Sequence, residues 1–292
     1  MNTKNVERVI APQPPHFVGD GFRVHNFIPG HPALSMERMN PFIMLDYNSK
    51  YYFTPTDVPR GVGVHPHKGF ETVTVAYKGK VAHHDSSGNS GVIGEGDVQW
   101  MTAASGILHK EYHEKEFAKK GGDFQVVQLW VNLPAEAKKS KPKYQEVSHD
   151  KVGKYELPND GGIVEVIAGE YKNIKGAAST FTPLNLDNAR LNKGGKADFS
   201  FPAGFNTALL VIEGSVLVNG KETVHTDHLV LFEKEGEAFT VEALENAVVL
   251  VLSGEPINEP IAAHGPFVMN TKEELREAFH EFNEGKFGYL EN

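Results

Sequence analysis

The chain has 292 residues with a formal net charge of −9, and Lys and Arg form no stripe, which argues against direct nucleic-acid contact because phosphate binding needs clustered cations. It contains no cysteine, so disulfides and thiolate metal sites are excluded. At roughly 100–200 residues per domain, the length suggests two domains, and no run approaches the ~20 apolar residues of a membrane helix.

The first residues, Met1-Asn2-Thr3-Lys4-Asn5-Val6-Glu7-Arg8, lack an apolar core of the secretory kind, and a cytoplasmic protein is expected. Next comes His65-Pro66-His67-Lys68-Gly69-Phe70-Glu71, answered about forty residues later by Gly106-Ile107-Leu108-His109-Lys110-Glu111. On a strand, side chains i and i+2 share a face, so His65 with His67 and His109 with Glu111 each aim two metal-binding groups in one direction. Glu71 shares that face if the strand runs on regularly from His65, and is a fifth candidate. His83 and His84 are adjacent, hence expected on opposite faces beside a turn. His113 is expected at the surface.

Strand-like runs recur at Phe70–Tyr77, Asp97–Met101, Phe124–Asn132, Gly162–Ala168, Thr207–Ile212, Ser215–Val218, His228–Glu233 and Ala247–Ser253. Short strands at this density predict an all-β barrel or sandwich. Pro134–Pro142 interrupts them and contains the densest basic run, Lys138-Lys139-Ser140-Lys141-Pro142-Lys143, read as a solvated linker. It places the domains at 1–135, carrying the metal candidates, and 136–292. The two halves share a faint pattern, a Gly-turn followed by an Asp that opens an apolar strand (Gly79 to Asp97, Gly214 to Asp227). Asn219-Gly220 signals a hairpin. His225 and His228 are three apart, wrong for one strand face, so no metal is expected in the second half. Near the end, Leu275, Ala278, Phe279 and Phe282 have helical spacing, with Thr271 and Glu274 set for a capping box and Gly285 as a stop.

Three imidazoles and a carboxylate suit Fe, Mn, Co, Ni, Cu or Zn, and they leave places on an octahedral ion for water, O2 or substrate. No Gly-x-Ser-x-Gly elbow, P-loop or Gly-x-Gly-x-x-Gly fingerprint offers a rival chemistry.

The stretches His65–Val73, Gly96–Ala103, Gly106–His109, Gln128–Leu133, Gly254-Glu255-Pro256 and His264–Thr271 together resemble the pirins, of the cupin superfamily. The likeness spans roughly residues 20–290. It implies two cupin (double-stranded β-helix, or jelly-roll) barrels packed together, a short C-terminal α-helix, and one metal in the N-terminal barrel. It implies His65, His67, His109 and Glu111 as ligands and sets Glu71 aside. Ser105 stands where many cupins carry Pro. The activity implied is that of a quercetin 2,3-dioxygenase, opening a flavonol ring with O2 and releasing CO, with Glu111 as both ligand and proton acceptor. Fe(II) is the first expectation for the metal, and Mn, Ni, Co, Cu and Zn stay open. Phe42, Phe70 and Trp130 are candidates to stack a flat substrate. A monomer is expected. The competing expectation is a redox- or metal-sensing protein that docks on a transcription factor or metabolic enzyme; another metal-dependent cupin enzyme, such as an isomerase, would share the same ligands.

Overall fold

The computed structural model describes residues 2–291, and they fold into two compact units. One comprises Gln13–Glu37, Phe42–His149 and the chain from Ile257 onward; the other comprises the chain up to Pro12, Arg38–Pro41 and Asp150–Pro256. The units are discontinuous in sequence, where a single cut after residue 135 was expected. Two long-range pairings account for this. Strand Val6–Ile10 pairs with Leu229–Phe232, and the parallel bridge between Lys68 and Phe267 ties the C-terminal segment to the unit that holds the histidines.

Both units are all-β and repeat one plan. In the histidine-bearing unit a seven-stranded sheet runs Lys143–Val147, Val98–Thr102, Phe70–Lys78, Gly122–Asn132, Phe42–Phe53, Phe22–Ile28 and His16–Val18. Its four-stranded companion runs Gly61–His67, Ile107–His113, Val81–Asp85 and Ser90–Ile93. The other unit again has seven strands in one sheet and four in a second, the latter running Lys196–Ser200, Ala238–Ala243, Ser215–Val218 and Glu222–His225. The faint duplication in sequence therefore corresponds to a repeated sheet pattern.

All eight expected runs are strands, and Gly162–Ala168 and Ser215–Val218 have the expected bounds. The Asn219-Gly220 turn has both residues at positive φ, 53° and 65°, as a hairpin of this kind requires. The longest strand, Phe42–Phe53, was not anticipated, because Asp46, Asn48, Ser49 and Lys50 break its apolar run. Three of these four are polar side chains that the fold buries or half-buries.

The helix Lys272–Asn283 forms as expected. Thr271 Oγ1 accepts from the Glu274 backbone at 3.1 Å, and Glu274 returns a carboxylate to the Thr271 N–H at 3.0 Å. Its apolar face packs Leu275, Ala278, Phe279 and Phe282 onto Phe267 and Phe287. No helix among the described residues is long and apolar enough to cross a membrane.

The basic stretch differs from expectation. Residues Ala137–Lys139 form a short 3-10 turn, and Lys138 is buried rather than solvated. Its ammonium donates to Asn132 Oδ1 and the Gly69 carbonyl, each at 2.7 Å, and to the Val268 carbonyl at 3.0 Å. Three protons meet three acceptors, which is the condition for burying such a group.

Candidate metal centre

Strands Gly61–His67 and Ile107–His113 pair antiparallel with His65 opposite His109 and His67 opposite Ile107. Directly opposed residues share a face of the sheet. Along Ile107–His113, burial alternates so that Ile107, His109, Glu111 and His113 all point inward. The strand period thus delivers both expected pairs to the barrel interior.

The three imidazoles converge. Ring centroids lie 4.3 Å apart for His65 and His109, 4.7 Å for His67 and His109, and 4.8 Å for His65 and His67. One ring nitrogen from each lies within 4.8 Å of the others. His65 Nδ1 bonds the Gly63 carbonyl at 2.8 Å, which leaves its Nε2. His67 Nδ1 and His109 Nε2 are buried with no hydrogen-bond partner among the described residues. Orphaned buried nitrogens are rare and call for an explanation, and a metal ion is the simplest partner for them. Burial first, then the neighbouring histidines, pushes His67 and His109 well below the usual imidazole range. Both rings are therefore neutral near pH 7, with lone pairs available to a metal. These residues fit a first-row divalent ion.

Glu111 sits one strand step beyond His109, opposite His83 on Val81–Asp85. Its Oε1 accepts from Gln99 Nε2 at 2.9 Å and Thr74 Oγ1 at 3.4 Å, and its Oε2 accepts from Gln128 Nε2 at 2.7 Å. It groups with His83 and His109 as a second ligand-capable triple. Donors on both oxygens fix the orientation of the carboxyl group.

Glu71 lies elsewhere. The chain turns at Gly69, whose φ of 92° suits glycine and where a Cβ would collide with the Val268 carbonyl. That turn ends the strand after His67 and breaks the alternation expected to carry Glu71 to the same face. Glu71 is instead buried on Phe70–Lys78, accepting from Thr102 Oγ1 at 2.7 Å. Burial raises its carboxyl to about 7 against the opposing pull of the Thr102 bond. A raised pKa stabilises the fold below the unfolded value of about 4.5, and this contribution is lost as pH rises through about 7. Glu71→Gln should therefore stabilise the protein at pH 8 relative to wild type, by up to ~3 kcal/mol, with the gain vanishing below pH ~4.5. Denaturant titrations at both pH values, with metal content measured in parallel, check this; metal content should not change.

His83 and His84 fall on opposite faces as expected, whereas His113 was misplaced by sequence reasoning. His83 is fully buried beside the cluster, its ring stacked on Tyr144 at 5.1 Å. Its Nε2 lies 3.4 Å from Asp85 Oδ2, and its Nδ1 lies 3.3 Å from Gln99 Nε2 and 3.4 Å from His109 Nδ1. Gln99 must present its amide to Glu111, so His83 Nδ1 accepts and its Nε2–H donates to Asp85. His109 Nδ1–H then donates to His83, which leaves His109 Nε2 as the lone pair turned to the other histidines. His83 Nδ1 has one lone pair, so Gln99 and His109 share it, in keeping with the long 3.3 and 3.4 Å distances. His113 is buried, not at the surface, with its Nε2 on the Gly21 carbonyl at 2.8 Å and its ring among Phe22, Phe53, Phe117 and Phe124. The i+2 alternation that selected His109 and Glu111 also pointed to it.

A cavity of about 300 Å³ opens over the histidines. Of the aromatics expected there, Trp130 lines it. Phe70 stacks behind Trp130 with centroids 4.2 Å apart, and Phe42 is buried in the core. Phe22 and Met44 supply wall that was not foreseen. They were hidden because neither strand that carries them, Phe22–Ile28 or Phe42–Phe53, was anticipated.

Among the described residues, both ligand-capable groups fall in this unit. In the other unit's four-stranded sheet, Phe199 stands opposite Phe239 with rings stacked at 5.3 Å, so apolar side chains occupy the corresponding pair of strands.

Two antiparallel barrels built to one plan, the first with inward histidines, define a bicupin-type protein. The chain belongs to the pirin family. The Pirin family model matches residues 21–131, and the model of the pirin C-terminal cupin domain matches 187–288. Human pirin is 35% identical over 277 residues, covering 93% of this chain and 90% of that protein. A Pseudomonas aeruginosa protein provisionally named a quercetin 2,3-dioxygenase is 44% identical over 272 residues, covering 93% of this chain and 94% of its own length. A solved structure described as quercetin 2,3-dioxygenase from Acinetobacter baumannii superposes with a TM-score of 0.92 at 46% identity, covering 99% of each chain.

Proposed function

We propose that this protein is a metal-dependent oxygenase of the quercetin 2,3-dioxygenase type, opening the heterocycle of a flavonol with O2 and releasing CO. The observation that carries the reading is the convergence of three imidazoles, two with orphaned buried nitrogens, beneath a largely apolar cavity. Similarity to proteins bearing that activity in their names supports it.

His65, His67 and His109 would hold the ion through ring nitrogens, and Glu111 would complete the set. Fe(II) is the first choice, with Mn, Ni, Co, Cu or Zn as alternatives. When bound, such an ion supplies Lewis acidity that eases ionisation of a flavonol hydroxyl. Glu111 would accept that proton at a carboxylate oxygen, its orientation fixed by Gln99 and Gln128. The Trp130 face offers a stacking surface, and the valine and phenylalanine walls exclude water. Under this reading the protein works as a cytoplasmic monomer without a nucleic-acid or membrane partner.

Protein reconstituted separately with Fe(II), Mn, Co, Ni and Cu should bleach quercetin absorbance in air with at least one of them; no loss with any of these would sink the proposal. His83 is expected to act through His109. His83→Phe keeps the ring stack on Tyr144 but removes both nitrogens, and should weaken metal affinity roughly 10–100-fold, the usual cost of losing a ligand's outer partner. Competition against a chelator of known affinity measures it.

A further inference from the structure

The cavity contains a second carboxylate, Asp46, that the reaction proposed above does not use. Asp46 lies on Phe42–Phe53 directly opposite Gln128, and Met44 lies opposite Trp130. All four line the cavity, as residues two apart on paired strands must. Gln128 in turn donates to Glu111 at 2.7 Å. Glu111, Gln128 and Asp46 therefore form a polar line leading from the histidines across an otherwise largely apolar wall that includes Val24, Val62, Val126 and Phe22.

Asp46 is half satisfied. Its Oδ1 accepts from Asn26 Nδ2 at 2.6 Å, and its Oδ2 has no donor among the described residues. Asn26 is also its cross-strand neighbour, at a register shift between Asn26 and Ile28. A structural link at that irregularity needs one acceptor, which a neutral Asn would supply equally well. Placing a full carboxylate against apolar wall with one oxygen unmet is costly unless something else donates to it. Burial accordingly raises the Asp46 carboxyl above its usual range, against the Asn26 bond and the charge of His16. Among the described residues no Lys or Arg lines the cavity, so Asp46 disfavours a negatively charged group at its end of a ligand.

We infer that Asp46 is a specificity-determining residue that accepts a hydrogen bond from a second substrate hydroxyl, distinct from the one taken at the histidine and Glu111 end. The substrate class is thereby narrowed to uncharged, flat polyphenols with at least two separated hydroxyls. The inference rests on the oxygenase reading for the class of ring, but its test reads binding rather than turnover.

Metal-loaded protein, kept anaerobic, is titrated with quercetin and with 3-hydroxyflavone, which keeps the ring system and the 3-hydroxyl alone. Quenching of tryptophan fluorescence reports binding, since Trp130 lines the cavity. Wild type should prefer quercetin, and Asp46→Asn should shrink that preference by about tenfold, the size expected for one charge-assisted hydrogen bond. The amide oxygen of that variant can still accept from Asn26, so a purely structural role would leave the ratio unmoved. An unchanged ratio overturns the inference. Should Asp46→Asn fail to fold, wild type is titrated with quercetins methylated singly at each hydroxyl other than the 3-hydroxyl. One ether should then lose about tenfold in affinity, and equal binding by all of them overturns the inference. If wild type binds quercetin and the ratio shifts but no turnover occurs, the oxygenase reading alone fails. If wild type binds neither flavonol, both fail.

Discussion

Replacing His109 by alanine is expected to remove metal and activity together. His109 is the central member of the cluster: its ring lies within 4.7 Å of both His65 and His67, and it alone belongs to both ligand-capable triples. Its Nε2 has no hydrogen-bond partner among the described residues, while its Nδ1 is turned to His83. Deleting an outer partner of a ligand typically costs ~10–100-fold in affinity. Loss of the ligand itself should exceed that, leaving well under ~0.1 metal per chain after gel filtration at micromolar protein. Flavonol consumption should fall in proportion. Elemental analysis beside the quercetin assay checks both. Full metal occupancy in His109→Ala would mean that the ion is held elsewhere.

Glu111→Gln should separate binding from chemistry. The side chain keeps its shape, but an amide has one acceptor oxygen where the carboxylate has two. Gln99 and Gln128 both donate to Glu111, at 2.9 and 2.7 Å on different oxygens, so the new NH2 must face one of those donors. That mismatch should cost about 1–3 kcal/mol of stability. Removing the proton acceptor should lower turnover by ~10²-fold or more. Metal binding should weaken but persist through the three imidazoles. Stopped-flow turnover at saturating metal, with a denaturant titration of the same variant, gives both numbers. Wild-type turnover in Glu111→Gln would remove this residue from the chemistry.

Much of the site was legible because strand geometry has a period of two. His65 with His67, and His109 with Glu111, could be paired from spacing alone, and the alternation along Ile107–His113 puts them inside. What spacing could not supply was register. His83 faces Glu111 only because Val81–Asp85 pairs with Ile107–His113 at one particular offset. Nothing local to His83-His84-Asp85 encodes that offset. Glu71 went the other way: one left-handed glycine, Gly69, ended the strand that local alternation would have continued. Lys138 was read as solvated because its basic neighbours dominate the segment, whereas its three acceptors come from Gly69, Asn132 and Val268, two of them far away in sequence. Asp46 and Met44 escaped notice because the polar residues that make Phe42–Phe53 useful to the cavity also disguise it as a strand. The helix was the easiest element, since its capping box, apolar stripe and stop are all local.

The proposed function requires the histidine cluster to hold a metal that supports oxygenase chemistry. Its most direct test is CO released per flavonol consumed, measured on protein whose metal content is known, across preparations loaded to different extents. One CO per flavonol is expected, with a rate rising linearly with metal per chain and none above background in His109→Ala. Fully metal-loaded protein that consumes no flavonol and releases no CO would contradict it.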